Sequence, residues 1–419
     1  MTAPGTQTAP EGTVSPAEMD EILSGLQAFL RDEVRRRHED AGIDLSDPIQ
    51  VFEPNGRFND QVLGLMREVR EASARAGYYT MLVPAELGGG GLGFAALYQA
   101  WELIYRECGA HHWLGYQAVG HWARGPSHVL LGAAPTVRDT LLPELLSGTK
   151  TLCFAMSEPD AGSDAWRMRT TATPTADGGW LIDGTKQWIT NGPYADAIVV
   201  FAVTDLEAAR AHRGGVSAFL VPADAPGVRV DSVIKMFGHH GGDEAILSFA
   251  GVEVGPDQLL GNEGDGFGLA MSGASAGRLY NSARAVGLGR WALRMATEYT
   301  SLREAFGRPI IENQGVSFPL ADSAIELRAA RLVGLDCAAR LDRGESARAD
   351  LAIAKTFSTE VAVRVLDRAM QAHGAMGFTN ETGLSEAWQQ VRRICVADGT
   401  SEILRRQIVK SMRSGELEA

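Results

Sequence analysis

Cysteine is scarce, basic residues are in deficit, and long apolar runs are missing. Only four cysteines, Cys108, Cys153, Cys337 and Cys395, occur in 419 residues. They are far apart and form neither a C-x-x-C pair nor a zinc spacing. They read as buried free thiols of a cytoplasmic protein, and no metal site is expected. No stretch reaches the roughly 18 apolar residues of a spanning helix, so no membrane segment is expected. Lys+Arg number 39 against 52 Asp+Glu, a formal net charge of −13. That balance argues against nucleic acid or an anionic membrane as partner and leaves room only for a local basic pocket. The first fifteen residues, rich in Thr, Pro, Gly and Ala, lack a basic start ahead of an apolar core. They read as a disordered tail rather than a signal peptide.

The rest has globular texture, with 45% hydrophobic and 22% charged residues, which excludes global disorder. The length suits two or three domains. Ser15-Pro16 supplies an N-cap and a first-turn proline for a helix carrying Met19, Ile22, Leu23, Leu26, Phe29, Leu30 and Val34 at helical spacing. Further helices are expected over 61–76 and 94–107. After Lys150 the pattern changes. Residues 170–175 and 180–186 flank Asp177-Gly178-Gly179 as a hairpin, and 197–204, 216–222 and 245–249 read as short strands. Beyond Gly261, long amphipathic stretches return at 279–300, 314–341, 349–373 and 401–412. The expected segments are a tail (1–15), an N-terminal helical domain (16–150), a central β domain (151–262) and a C-terminal helical domain (263–419).

Several patterns are decoys on context. Gly88 to Gly93 matches G-x-G-x-x-G but lacks the preceding strand and the second strand of a dinucleotide fold. Gly287 to Ala292 matches it inside a helix, where glycines serve close packing. Gly273-Ala274-Ser275-Ala276-Gly277 matches G-x-S-x-G without the strand-to-helix turn that a nucleophile elbow needs. His111-His112 and His239-His240 are adjacent, so their side chains point apart.

The informative segment is Phe154-Ala155-Met156-Ser157-Glu158-Pro159-Asp160-Ala161-Gly162-Ser163-Asp164, at the helical-to-β junction. It is a small-residue loop able to offer backbone groups to a flat polar ring edge. It resembles the first signature of the acyl-CoA dehydrogenase family. Lys186-Gln187-Trp188-Ile189-Thr190-Asn191-Gly192, Arg303-Glu304-Ala305-Phe306-Gly307, Gln371 to Gly377 and Asp398-Gly399-Thr400-Ser401-Glu402 resemble further family motifs, in the family's order.

The resemblance implies an α+β fold: an N-terminal helical domain, a central β-barrel-like domain and a C-terminal four-helix bundle. It implies non-covalent FAD. Phe154, Met156, Ser157, Gly162, Ser163, Trp188, Ile189 and Thr190 take the flavin-ring positions. Arg303, Phe306, Gln314, Gln371, Gly374 and Ala375 take those of the pyrophosphate and adenosine end, contributed by a neighbouring subunit. Thr400 and Glu402, in the last motif, are further cofactor-binding positions that the resemblance implies. A guanidinium suits phosphate oxygens, and glycines permit close backbone approach.

The family's reaction takes an α proton from an acyl thioester onto a carboxylate while the β hydrogen leaves as hydride to flavin N5. Developing negative charge on the thioester oxygen must be stabilised, and the base must sit in a water-poor pocket. The position of the family's usual catalytic glutamate is Asp398. Aspartate is shorter by about 1.5 Å, a misplacement that costs ~10²-fold if uncompensated. Either the pocket suits aspartate, as in one branch of the family, or the chemistry differs. The alternative base position, before Arg278, is Gly277, which leaves Asp398 as the candidate. Arg284 either orients Asp398 or pairs with another carboxylate. Ser163, Ser275 and Arg278 match substrate-side positions, with Ser275 replacing the family's aspartate. Trp101 and Trp166 suggest an acyl group that is bulky near the thioester.

The expected activity is acyl-CoA dehydrogenation, with electron-transferring flavoprotein as acceptor and a homotetramer or homodimer as assembly. A nitroalkane oxidase-like enzyme and a desaturase of a carrier-protein thioester are the alternatives.

Overall fold

The computed structural model describes residues 14–237 and 240–417. The expected tail therefore lies almost wholly outside the described residues, as does His239. The chain divides into two compact units that interleave along the sequence. A helical unit takes the described residues up to His38, Leu92–Tyr116 and Ser275 onward; a sheet unit takes Glu39–Gly91 and Gln117–Ala274. Residues 16–150 thus contribute to both.

In the helical unit, the Pro16–Phe29 helix begins as its sequence dictates. The Ser15 hydroxyl accepts from the Glu18 amide, and the Glu18 carboxylate accepts from the Ser15 amide, which satisfies two N-terminal donors. The long helices are Gly266–Leu302 (whose first turns group with the sheet unit), Gln314–Asp342 and Arg348–Ala372, followed by Leu384–Ile394 and Ser401–Ser414. Val286, Leu327, Ala330, Val361 and Val365 form a buried seam between three of them. The Gly287 and Gly289 decoy is a packing device. A Cβ on Gly287 would lie 2.6 Å from the Glu102 carbonyl, and one on Gly289 equally close to Leu327. Glu102, buried, accepts from both Arg290 and Arg331 and so links Phe94–Cys108 to two long helices. The G-x-S-x-G decoy is helical throughout.

The sheet unit carries Asp60–Arg75, Pro135–Leu146 and eight strands: β1 Leu152–Ala155, β2 Thr171–Pro174, β3 Trp180–Thr190, β4 Ala197–Val203, β5 Val216–Pro222, β6 Val228–Val233, β7 Glu244–Val254 and β8 Leu259–Leu260. The β2–β3 hairpin forms around the expected glycine turn. The barrel-like expectation needs correction. The strand order is β6-β7-β3-β2-β4-β5-β8, with β1 added to β4, and the described ends do not pair with each other. The sheet is open. β6 is an edge strand whose residues Arg229 to Ser232 are exposed, so nothing on it drives closure. β1 pairs in parallel with β4, a long-range contact that no local pattern announces. Every residue of β4 is buried, as expected for a strand covered on both faces.

All four cysteines are free and buried. Among the described residues, no helix is long and apolar enough to cross a membrane.

Candidate active site

In the sheet unit, the signature loop is held by a buried ion pair. Lys186, fully buried on β3, donates to the Glu158 carboxylate at 2.8 Å and to the Met156 carbonyl at 3.0 Å. Glu158 also accepts from the backbone amides of Arg169 and Thr170, at 2.6 and 3.0 Å. Burial pushes this carboxyl up, but the Lys186 charge and the hydrogen bonds outweigh it and hold Glu158 below the usual carboxylate range. The loop is stitched further to β3 by the Gln187 amide, which donates to the Ser157 carbonyl at 2.9 Å.

Trp188 shows why the β3 motif has its form. The β3–β7 register slips between Gln187 and Ile189, and Trp188 adopts a positive φ of 64°. Such a bulge takes one residue out of the ladder and re-aims its side chain. Trp188 is accordingly 52% exposed while Ile189 is buried. Phe154 is half-buried against Trp122 and Phe201, Met156, Ser157 and Thr190 are half-buried, and Gly162 and Ser163 are exposed. Trp166 stacks between Phe267 and His212, with ring centroids 3.7 and 5.0 Å away, so its indole serves packing.

In the helical unit, a cavity of about 840 Å³ is lined by Arg303, Phe306, Gln371, Gly374 and Ala375, together with Tyr299 and His373. Five of the six residues expected at the pyrophosphate and adenosine end therefore line one cavity. Gln314 does not line it; its neighbours Asn313 and Gly315 do. Phe306 is fully exposed and takes a positive φ of 54°. Gly374 has a φ of 60°, which glycine adopts without strain. Thr400 is the N-cap of Ser401–Ser414, its hydroxyl accepting from the Ile403 amide at 3.2 Å, and Glu402 is exposed on the first turn.

Asp398 lies between the last two helices, also in the helical unit. Its φ is 53°, in the left-handed region where aspartate is enriched among non-glycine residues because its short polar side chain bonds locally. Three side chains hold this turn. Arg278 Nε donates to the Asp398 carbonyl at 3.1 Å, Lys355 Nζ donates to the Gly399 carbonyl at 2.8 Å, and Asn281 Nδ2 donates to Asp398 Oδ2 at 2.7 Å. Burial lifts the Asp398 carboxyl above its ordinary range, against the pull of Lys355, Arg278 and the Asn281 hydrogen bond. Lys355, buried on Arg348–Ala372, is pushed down to about 8 by desolvation.

Asn281 and Lys355 were not singled out in the sequence. The available signal for Asn281 was its place three residues after Arg278, one turn along the same helix face. Arg284 donates to Gln390 at 2.8 Å and lies over the Tyr105 ring. Trp101 is buried against Tyr105 and Tyr280. Gly277 is buried in the long helix, and Ser275 and Arg278 are half-buried.

Residues 153–252 match the description "Acyl-CoA dehydrogenase, middle domain" and residues 264–413 match "Acyl-CoA dehydrogenase, C-terminal domain". The short-chain specific mitochondrial acyl-CoA dehydrogenase of Bos taurus is 36% identical over 342 residues, 81% of each chain. An acyl-CoA dehydrogenase of Bacillus subtilis is 32% identical over 389 residues, 93% of this chain and 98% of that one. The crystal structure of acyl-CoA dehydrogenase from Geobacillus kaustophilus superposes with a TM-score of 0.81 at 26% identity, covering 97% of this chain and all of that one. With the signature loop, the bulged β3 motif and the carboxylate turn in place, these similarities lead to one conclusion: the chain belongs to the acyl-CoA dehydrogenase family.

Proposed function

We propose that this protein dehydrogenates the α,β bond of an acyl thioester, with Asp398 as the group that takes the α proton. The chain is an FAD-dependent oxidoreductase acting on CH–CH bonds. Its residues fit the cofactor. The cavity around Arg303 offers a guanidinium for phosphate oxygens beside a glycine of positive φ, and Trp188 is an aromatic presented at a bulge. Arg303, Phe306, Gln371, Gly374 and Ala375 would hold the pyrophosphate and adenosine end. Phe154, Met156, Ser157, Gly162, Ser163, Trp188, Ile189 and Thr190 would hold the ring. When bound, FAD accepts the β hydrogen as hydride.

The observation that carries the assignment is the carboxylate turn. Asp398 is the carboxylate in the motif position of the family's base. It is lifted towards working pH by burial, and its backbone is anchored by Arg278 and Lys355. A general base works best when its pKa approaches the operating pH. Arg278 and Ser163 are assigned to the substrate side. Ser275 cannot supply the negative charge of the aspartate it replaces, so contacts to the thioester's polar arm there are neutral. Trp101 and Trp166 are both engaged in aromatic packing within their own units, so neither supports the expectation of an acyl group bulky near the thioester. Electron-transferring flavoprotein is the assigned acceptor.

Assembly as a homotetramer is supported by Phe318, Ile325 and Leu332, spaced by seven along Gln314–Asp342 and 58%, 67% and 55% exposed. The nitroalkane and carrier-protein alternatives gain no support from the relatives.

The test is anaerobic flavin bleaching by a panel of short, branched, aryl and long-chain acyl-CoAs and nitroalkanes. Bleaching by thioesters alone is expected. Asp398→Asn should stay folded and yellow yet lose bleaching by several orders of magnitude, a loss confined to the chemical step. Near wild-type bleaching in Asp398→Asn would overturn the assignment.

A further inference from the structure

Asp398 has one neighbour that the family assignment leaves without a role. Asn281 is buried on Gly266–Leu302, and its amide donates to Asp398 Oδ2 at 2.7 Å. Among the described residues no donor reaches Oδ1. The two oxygens of one carboxylate are therefore made unequal. Arg278, one turn earlier on the same helix, holds the Asp398 backbone through its carbonyl, not the carboxylate itself.

We infer that Asn281 is the positioning residue that lets a short aspartate serve as base: it pins Oδ2, sets the rotation of the carboxylate, and leaves Oδ1 as the proton acceptor. The inference rests on the reading of Asp398 as base. Its chemistry is that of an amide N–H bonded to an ionised oxygen. The bond stabilises the charged form and fixes the angle at which the other oxygen is presented. A carboxylate that lacks one methylene of reach gains most from being held at one angle, because proton transfer demands near-attack geometry. An amide is suited to this place. A cation there would quench the basicity of the carboxylate, and a second carboxylate would repel it. The charged groups facing Asp398 are Lys355, on Arg348–Ala372, and Arg278; both act on it through space and anchor the turn through carbonyls.

The decisive variant is Asn281→Leu, which keeps the branching at Cγ with somewhat greater bulk and removes the donor, alongside Asn281→Asp, which places a like charge against Oδ2. The readout independent of turnover is the infrared band of the protonated Asp398 carboxyl in the holoenzyme, identified by its disappearance in Asp398→Asn and titrated with pH. In Asn281→Leu its midpoint should rise by about one pH unit, the effect of one lost hydrogen bond to a carboxylate. In Asn281→Asp it should rise further. Flavin reduction by the fastest thioester of the panel should fall by roughly 10- to 100-fold in kcat, with KM little changed and its pH profile displaced in the same direction.

A folded, flavin-bound Asn281→Leu whose carboxyl titrates and turns over like wild type would refute the positioning role. That outcome is distinct from failure of the underlying assignment, in which Asp398→Asn itself would still be reduced. If Asn281→Leu does not fold, Asn281→Asp, nearly isosteric, carries the test through the same two measurements.

Discussion

Replacing Lys186 with methionine should expose how much the signature loop depends on one buried charge pair. Methionine matches the lysine stem and removes only the ammonium. Glu158 would then lie 5% exposed with two backbone amides and no cation. Breaking a buried pair from one side typically costs about 3–5 kcal/mol. The carboxylate has one escape, protonation, which at pH 7 costs about 3 kcal/mol for an ordinary glutamate. The loss is therefore expected near 3 kcal/mol, about 6–12 °C in Tm for a unit of roughly 200 residues. The escape becomes easier in acid, so the deficit should shrink at pH 5.5. The sign agrees with linkage: a depressed Glu158 contributes stability above its unfolded value, near 4.5, and loses it as pH falls through the folded value. Melting curves at pH 7.5 and 5.5 measure this. Removing both charges, as Glu158→Leu with Lys186→Met, should recover much of the loss. A single variant that melts within about 1 °C of wild type at pH 7.5, or one with equal deficits at both pH values, would refute the reasoning.

Three further outcomes are expected. Asp398→Asn should melt higher than wild type at pH 8, because a carboxyl raised in the folded state costs stability once pH exceeds its unfolded value; the gain should vanish in acid. Arg303→Ala should lose FAD on gel filtration and shift the oligomer towards smaller species together, since ligand and assembly are linked; a monomer that retains full FAD would count against the assignment. Gly109→Ala should destabilise by more than about 3 kcal/mol, measured by urea unfolding, because a Cβ there meets the Trp291 ring and the residue has a positive φ.

Much of the architecture was legible along the chain because its causes are local. The N-cap at Ser15 with Pro16 after it, the hairpin at Gly178-Gly179 and the long amphipathic helices follow from spacing and turn chemistry over a few residues. The signature loop and its companion motifs identified the family, since ligand-facing backbone leaves a run of small residues in order. The Leu384–Ile394 helix was missed although its pattern is strongly amphipathic, and Pro135–Leu146 was missed because Pro143 lies inside it.

What the tertiary structure alone decided is what depends on distant partners. Closure of the sheet is a question of which edges meet, and the β6 and β8 ends do not. β1 exists because β4 lies beside it. Residues 16–150, uniformly helical and loop-rich to the eye, are sorted between two units by contacts far along the chain. Above all, the sequence by itself named Asp398 as a carboxylate of unusual length. Only the fold set its left-handed backbone and brought Asn281, 117 positions away, to its oxygen. A motif records which groups are available, whereas the pairing of one oxygen with one donor is fixed by how helices pack.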